Sequence, residues 1–190
     1  SAAQEPLGGS ILAGLTLIVR SPYLLGVALF MLLFTTLSTF LYFEQAHIVA
    51  QSFASAAERT RFFALLDLAV NTLTVATQVL ITSRLLARLG VAGSLALLPV
   101  LSALGFALLA LTPVLAVLAG FQVLRRAGEY AITRPARELL YTVVDRETKY
   151  KAKNALDTVV YRGGDALAGW LFAGLKSLGL GLAAVAWVAV

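Results

Sequence analysis

From Ser21 to Phe43 the chain reads Ser-Pro-Tyr-Leu-Leu-Gly-Val-Ala-Leu-Phe-Met-Leu-Leu-Phe-Thr-Thr-Leu-Ser-Thr-Phe-Leu-Tyr-Phe, without a single charge, and the apolar run continues past Glu44 to about Ala50. A helix crossing the hydrocarbon core of a bilayer needs roughly 20 such residues, so positions 21–50 predict a transmembrane helix. The same test predicts spans at 62–86, charge-free between Asp67 and Arg84, and at 91–112, which holds no charge at all. A fourth is expected over 113–137. It opens at Pro113, because a first helical turn leaves unpaired the N–H that proline lacks. A fifth covers 154–175. The sixth, 177–190, has only 14 residues; at about 1.5 Å each they reach about 21 Å, short of the roughly 30 Å core.

Composition points the same way. Hydrophobic residues make up 59% of the 190 and charged residues 13%, with a mean hydropathy of +0.87. Soluble domains average about 45–50% and about 25%. That balance excludes an ordinary soluble enzyme. Fifteen Lys and Arg against ten Asp and Glu leave a net charge of +5. In a membrane chain this surplus bears first on topology, and no nucleic-acid partner is expected. With no cysteine and only one histidine, His47, neither a thiolate site nor a multi-histidine metal centre is expected. No cofactor is expected either.

Eight basic residues (Arg20, Arg84, Arg88, Arg137, Arg146, Lys149, Lys151, Lys153) fall on one side of the expected spans, and three (Arg59, Arg61, Lys176) on the other. Lys and Arg accumulate in cytoplasmic loops, which places both termini in the cytoplasm. Ser1–Pro6 reads as a linker end and Ile11–Arg20 as an interfacial helix, so residues 1–20 precede a six-helix bundle over 21–190. No signal peptide is evident. The abrupt start and the short last span suggest a piece of something longer. Spans one, two, four and five carry polar residues, whereas three and six are nearly featureless. Polar, polar, apolar occurring twice suggests two three-helix repeats, a common plan in secondary transporters.

Ionisable groups inside a span cost several kcal/mol unless paired or facing water, roughly 2.5–3.5 on insertion scales, and are the first candidates for function. On the fourth span Gln122, Arg125, Arg126, Glu129, Tyr130 and Thr133 share an arc of about 140° at about 100° per residue. Glu129 stands at pairing distance from both arginines, i, i+4 and i, i+3. Two guanidiniums against one carboxylate leave a positive surplus that suits phosphate or carboxylate; the other reading is an ion-pair network locking helices together. On the fifth span Asn154, Asp157, Thr158, Tyr161, Arg162 and Asp165 share a similar arc. There Arg162 and Asp165 are spaced to pair, while Gly163, Gly164 and Gly169 allow close helix approach. Asp67, Asn71, Thr74 and Gln78 form one stripe on the second span, either pathway-lining or hydrogen-bonding between helices. Glu44 and His47, one turn apart, are candidates for carrying a proton, or His47 sits in the interface. The segment from Asp145 to Lys153 reads as a basic cytoplasmic loop.

Two stretches carry a family resemblance. Ser83-Arg84-Leu85-Leu86-Ala87-Arg88-Leu89-Gly90 resembles the major facilitator loop motif G-x-L-A-D-R-x-G-R, with Ala87 in place of its Asp and Val91 in place of its last Arg. Arg126-Ala127-Gly128-Glu129-Tyr130-Ala131, Arg134-Pro135-Ala136-Arg137-Glu138, Lys149-Tyr150-Lys151-Ala152-Lys153-Asn154, Asp157-Thr158 and Tyr161-Arg162-Gly163-Gly164-Asp165 resemble the ATP/ADP translocase branch of that superfamily. The resemblance covers about forty residues. It implies an all-α membrane protein that forms the C-terminal six-helix half of a twelve-helix carrier, in a bacterial inner membrane. Arg126, Glu129, Arg134, Arg137, Asp157, Arg162 and Asp165 would then occupy signature positions.

The expected function is therefore half of a secondary active transporter working by alternating access, without enzymatic conversion. Its cargo would be an anionic, phosphorylated or nucleotide-like substrate. The candidate substrate-binding residues are Arg125, Arg126, Glu129, Tyr130, Asp157, Tyr161, Arg162, Asp165, Asp67 and Asn71, with Glu44 and His47 for proton coupling. Expected partners are the lipid bilayer, the anionic small molecule, and either a missing N-terminal six-helix half or a second copy of the chain. Two alternatives stay open: a non-transporting assembly subunit with the carrier fold, and a flippase for lipids or other amphiphiles.

Overall fold

A computed structural model of the chain describes residues 11–179. The linker residues 1–10 and nearly all of the expected last span, 177–190, lie outside the described residues. Those described are helical, with no strand among them. In chain order the helices are α1 (Ile11–Arg20), α2 (Pro22–Ser52), α3 (Ala56–Thr77), α4 (Ser83–Leu111), α5 (Leu115–Gly128), α6 (Arg134–Leu140), α7 (Arg146–Ala155) and α8 (Tyr161–Ser177). Three pairs run on as continuous helices through a widened π turn: α3 to α4 through Gln78–Thr82, α5 to α6 through Glu129–Thr133, and α7 to α8 through Leu156–Val160. Pro22–Ser52 and Ala56–Leu111 are long and apolar enough to cross a membrane.

Local chemistry sets where these helices begin and break. α3 starts six residues before the expected Phe62 because Ser55-Ala56-Ala57-Glu58 is a capping box. Ser55 Oγ accepts the Glu58 N–H at 3.2 Å, and the Glu58 carboxylate accepts the Ser55 N–H at 3.1 Å. Gly90, at φ 68° and ψ −175°, breaks the helix within α4. That region is open essentially to glycine alone, so the boundary expected between 86 and 91 falls there. α5 begins at Leu115 rather than Pro113, because Val114 is extended (φ −113°, ψ 154°). The expected basic loop from Asp145 to Lys153 is instead mostly α7, with Asp145 as its N-cap accepting the Thr148 N–H at 2.9 Å.

The turn at Glu129–Thr133 has a covalent cause. Pro135 has no N–H, and its ring crowds the carbonyl four residues back, that of Ala131. The chain accommodates this by widening, so that the Arg134 N–H reaches back five residues to Glu129 O.

The described chain divides into two compact units. The first comprises the chain up to Thr39 together with Tyr141–Ala173. In it α1 lies against α7 so closely that a Cβ at Gly14 would overlap the carbonyl oxygen of Lys151 and the Ala155 side chain. The N-terminal part of α2 meets α8 at Gly164, where a Cβ would overlap Thr35 Oγ1; Gly163 and Gly169 have open space beside them and are not contact points.

The second unit comprises Phe40–Leu140 and the chain from Gly174. Along α4 the residues Leu95, Leu98, Ser102, Phe106 and Leu109 are buried, while Leu97, Val100, Leu104, Leu108 and Leu111 are exposed. Both sets follow the helical period, so α4 turns one apolar face inward and another outward. Against its inner face lies Phe121 of α5, edge-on to Phe106 with ring centroids 5.2 Å apart. A Cβ at Gly105 would fall inside the Phe121 ring.

Gly105→Ala is therefore expected to lower stability by about 1–3 kcal/mol, the usual range for overpacking. Gly105→Ala combined with Phe121→Leu should recover part of that loss in thermal melts of the detergent-solubilised chain. The Asp145 cap generates a second expectation. The Thr148 N–H holds the Asp145 carboxyl below its ordinary value. The cap's contribution is thus complete above the unfolded aspartate value of about 3.9 and is lost as pH falls through the lower folded value. Hydrogen exchange at the Thr148 and Lys149 amides should speed up over that acid range, and Asp145→Asn, which keeps a capping oxygen, should abolish the pH dependence.

Candidate functional site

In the second unit the polar residues of α2, α3 and α5 find one another across helices rather than along them. Gln122 of α5 donates through Nε2 to Gln45 Oε1 of α2. One turn on, Arg126 Nη1 and Asp67 Oδ1 of α3 form an ion pair at 2.6 Å. Arg125 is 4% exposed and Gln122 5%. α5 thus presents three polar positions within two turns, each held by another element or withdrawn from the surface.

The intrahelical pairs expected between Glu129 and the two arginines are not what forms. Asp67 takes Arg126, and Glu129 Oε1 pairs with Arg134 Nη2 at 3.5 Å. The π turn accounts for the new pair, because five residues complete it and residue i+5 stacks where i+4 stacks in an α-helix; Arg126, which precedes the turn, is taken instead by Asp67 of the adjoining α3. The Arg134 guanidinium also lies over the Tyr130 ring, 4.3 Å from its centroid, a cation–π contact. The positive surplus inferred from α5 alone shrinks once Asp67 is counted. The stripe on α3 is also divided, with Asp67 paired, Gln78 bonded to the Tyr130 carbonyl at 3.4 Å, and Asn71 exposed.

Glu44, from the C-terminal part of α2, is 1% exposed, and its Oε1 has no hydrogen-bond partner among the described residues. His47 is half-buried, and no hydrogen bond joins it to Glu44 among those residues.

The remaining expected residues belong to the first unit. Asp157 and Arg162 are exposed and Tyr161 is half-buried. The expected Arg162–Asp165 pair does not form among the described residues; Asp165 Oδ1 instead accepts a hydrogen bond from Thr39 Oγ1 at 3.0 Å. The π turn at Leu156–Val160 precedes this segment, where Tyr161 N–H reaches Leu156 O. Sequence reasoning missed Thr39, Gln45 and Thr82. Each is a small or neutral polar residue in an apolar run, and only its partner's position reveals its use. Among the described residues no group of three or more His, Asp and Glu side chains is placed to hold a metal ion.

Exchanging the charges of the ion pair isolates its contribution. Asp67→Arg sets a third guanidinium against Arg125 and Arg126 and should lower the melting temperature, as should Arg126→Asp against Asp67. The double exchange Asp67→Arg/Arg126→Asp should restore most of the loss; no recovery would mean that the 2.6 Å contact contributes nothing to the packing of α3 on α5.

Comparison with protein-family models, with curated proteins and with solved structures finds no match to this chain.

Proposed function

We propose that the chain is a membrane-embedded six-span bundle of two three-helix repeats, forming half of a secondary carrier for an anionic, phosphorylated or nucleotide-like substrate. The observation that carries this reading is the Arg126–Asp67 ion pair between α3 and α5, placed beside the buried Arg125. Charged groups in apolar membrane helices are costly and persist where they pair or serve a pathway. The outward faces support the membrane environment. Leu25, Leu29 and Leu33 on α2, and Leu97, Val100, Leu104, Leu108 and Leu111 on α4, are exposed at helical spacing. Apolar surface of that extent matches lipid rather than water.

On this reading guanidiniums recognise the anion, with Arg125 and Arg126 of α5 as the first contacts and Asp67 as the internal counterion the substrate replaces. A second bundle, either another six-helix half or a second copy of the chain, completes the pathway. Both termini face the cytoplasm, with the bacterial inner membrane as the setting. The stretches resembling ATP/ADP translocases support the choice of nucleotide as the probe.

Native mass spectrometry of the purified chain in detergent, with and without ATP, tests this directly. The expected result is a species retaining ATP, with retention weakened about tenfold or more by Arg126→Ala, the scale of one charge-assisted contact. Retention unaffected by both Arg125→Ala and Arg126→Ala removes the site assignment, and a monomer retaining no ATP rejects the chain by itself as the binding unit.

A further inference from the structure

Within its ten residues α7 carries four basic positions, Arg146, Lys149, Lys151 and Lys153, against one acidic, Glu147. Small residues fix how it is seated. Ala152, Ala155 and Leu156 are fully buried, and a Cβ at Gly14 of α1 would overlap the Lys151 carbonyl oxygen and the Ala155 side chain. With one face held that closely, α7 is not free to roll, and its two flanks point in fixed directions. On one flank Lys151 pairs with Glu147. On the other, Lys149 and Lys153 stand one turn apart, and Lys149 pairs with no carboxylate among the described residues. Lys153 Nζ lies over the Tyr141 ring, 5.9 Å from its centroid, a contact that directs the ammonium without neutralising it. Like charges at i, i+4 oppose each other along a helix, so this flank suits an anion that bridges both.

The surroundings say which anion. Only Ser21 separates α1 from α2, and α7 runs through the Leu156–Val160 turn into α8. Thr35 of α2 meets Gly164 of α8, so α1 and α7 lie together at the end where both longer helices begin. α2 is long and apolar enough to cross a membrane, whereas α7 is too highly charged for the hydrocarbon. An apolar and a basic short helix side by side at the start of a span match the headgroup level of a bilayer. Tyr23 and Tyr150, both exposed, agree with that depth, where tyrosines concentrate.

We propose that the Lys149–Lys153 flank of α7 is a docking surface for an anionic phospholipid, whose headgroup phosphate bridges the two ammonium groups while its acyl chains enter the hydrocarbon beside α2. This rests on the membrane-embedded part of the reading above, and on neither the carrier nor its nucleotide. A free phosphate would meet the same two lysines, but only an amphiphile is held at their depth by its own chains.

The test is native mass spectrometry of the full chain in detergent, titrated with equal amounts of dioleoylphosphatidylglycerol and dioleoylphosphatidylcholine and no nucleotide. Phosphatidylglycerol should be retained preferentially. Lys149→Gln and Lys153→Gln should each weaken its retention about fivefold, the effect of one lysine at an anionic headgroup, and Lys149→Arg should preserve it. Lys151→Gln removes the same charge from the same helix on the flank that Glu147 already answers, and should change retention by less than about twofold. Arg126→Ala, in the second unit, should leave it unchanged. Excess glycerol 3-phosphate, a headgroup phosphate without acyl chains, should not displace the lipid. Equal retention of the two lipids, no effect of Lys149→Gln and Lys153→Gln, an equal loss from Lys151→Gln or Arg126→Ala, or displacement by glycerol 3-phosphate would each overturn the docking surface alone. A chain that stays monodisperse once detergent is removed would reject the membrane reading and the docking surface with it.

Discussion

The hydrogen bond that Pro135 cannot make is the constraint on which the second unit depends. A peptide carbonyl without a donor is tolerable where water can reach it and costly where only apolar side chains surround it. Ala131 is fully buried, so its carbonyl must be served by the protein, and Thr82 serves it from the adjacent helix. This one bond ties together a covalent fact about residue 135, the width of the turn before it, and the side chain that Arg134 faces. It also explains why a polar residue stands within Val79-Leu80-Ile81-Thr82: the position answers to the neighbouring helix as well as to its own.

The same logic of cross-helix satisfaction runs through the polar residues above the turn. Gln122 is bonded to Gln45, and Arg126 to Asp67. Each bond joins α5 to a different helix, so α5 is the element around which the others are arranged. Apolar packing alone would leave α5 free to slide or rotate against its neighbours, because Leu and Val contacts are nearly interchangeable along a helix. A guanidinium opposite a carboxylate is not interchangeable, since a one-residue shift separates the two charges. The Phe106–Phe121 edge contact and the absence of a side chain at Gly105 fix another side of α5 by shape rather than by charge.

Much of the helical layout is legible in the sequence because its signals are local. Charge-free runs mark α2 and the segment after Gly90, and a Ser-x-x-Glu cap at Ser55, readable in the sequence, marks the true start of α3. What is not legible follows from one assumption, a constant 100° per residue. Three π turns break it, at Gln78, Glu129 and Leu156, and the second brings Arg134 to Glu129. A helical wheel without i, i+5 neighbours leaves Arg134 off the face of Glu129. Of these turns only the second announces itself in sequence, through Pro135. The cross-helix partners, Asp67 for Arg126 and Thr39 for Asp165, depend on which helices adjoin, and no periodicity within one helix contains that information.

The pairing also changes what an anion site in this chain would have to be. Counting charges along α5 suggests guanidiniums waiting for a ligand, but Arg126 and Arg134 each already hold a carboxylate. Removing a carboxylate from such a pair leaves a charge uncompensated, whereas exchanging it for another anion does not. Recognition would then be a substitution of partners, with the substrate taking the place of Asp67 at Arg126. Arg126 meets Asp67 at 2.6 Å; Arg134 meets Glu129 at 3.5 Å and is half exposed. The short pair joins α5 to α3, and the long one spans the Glu129–Thr133 turn. On the carrier reading an anion that displaces Asp67 would therefore also loosen α3 from α5, so that binding and helix packing would be coupled through Arg126.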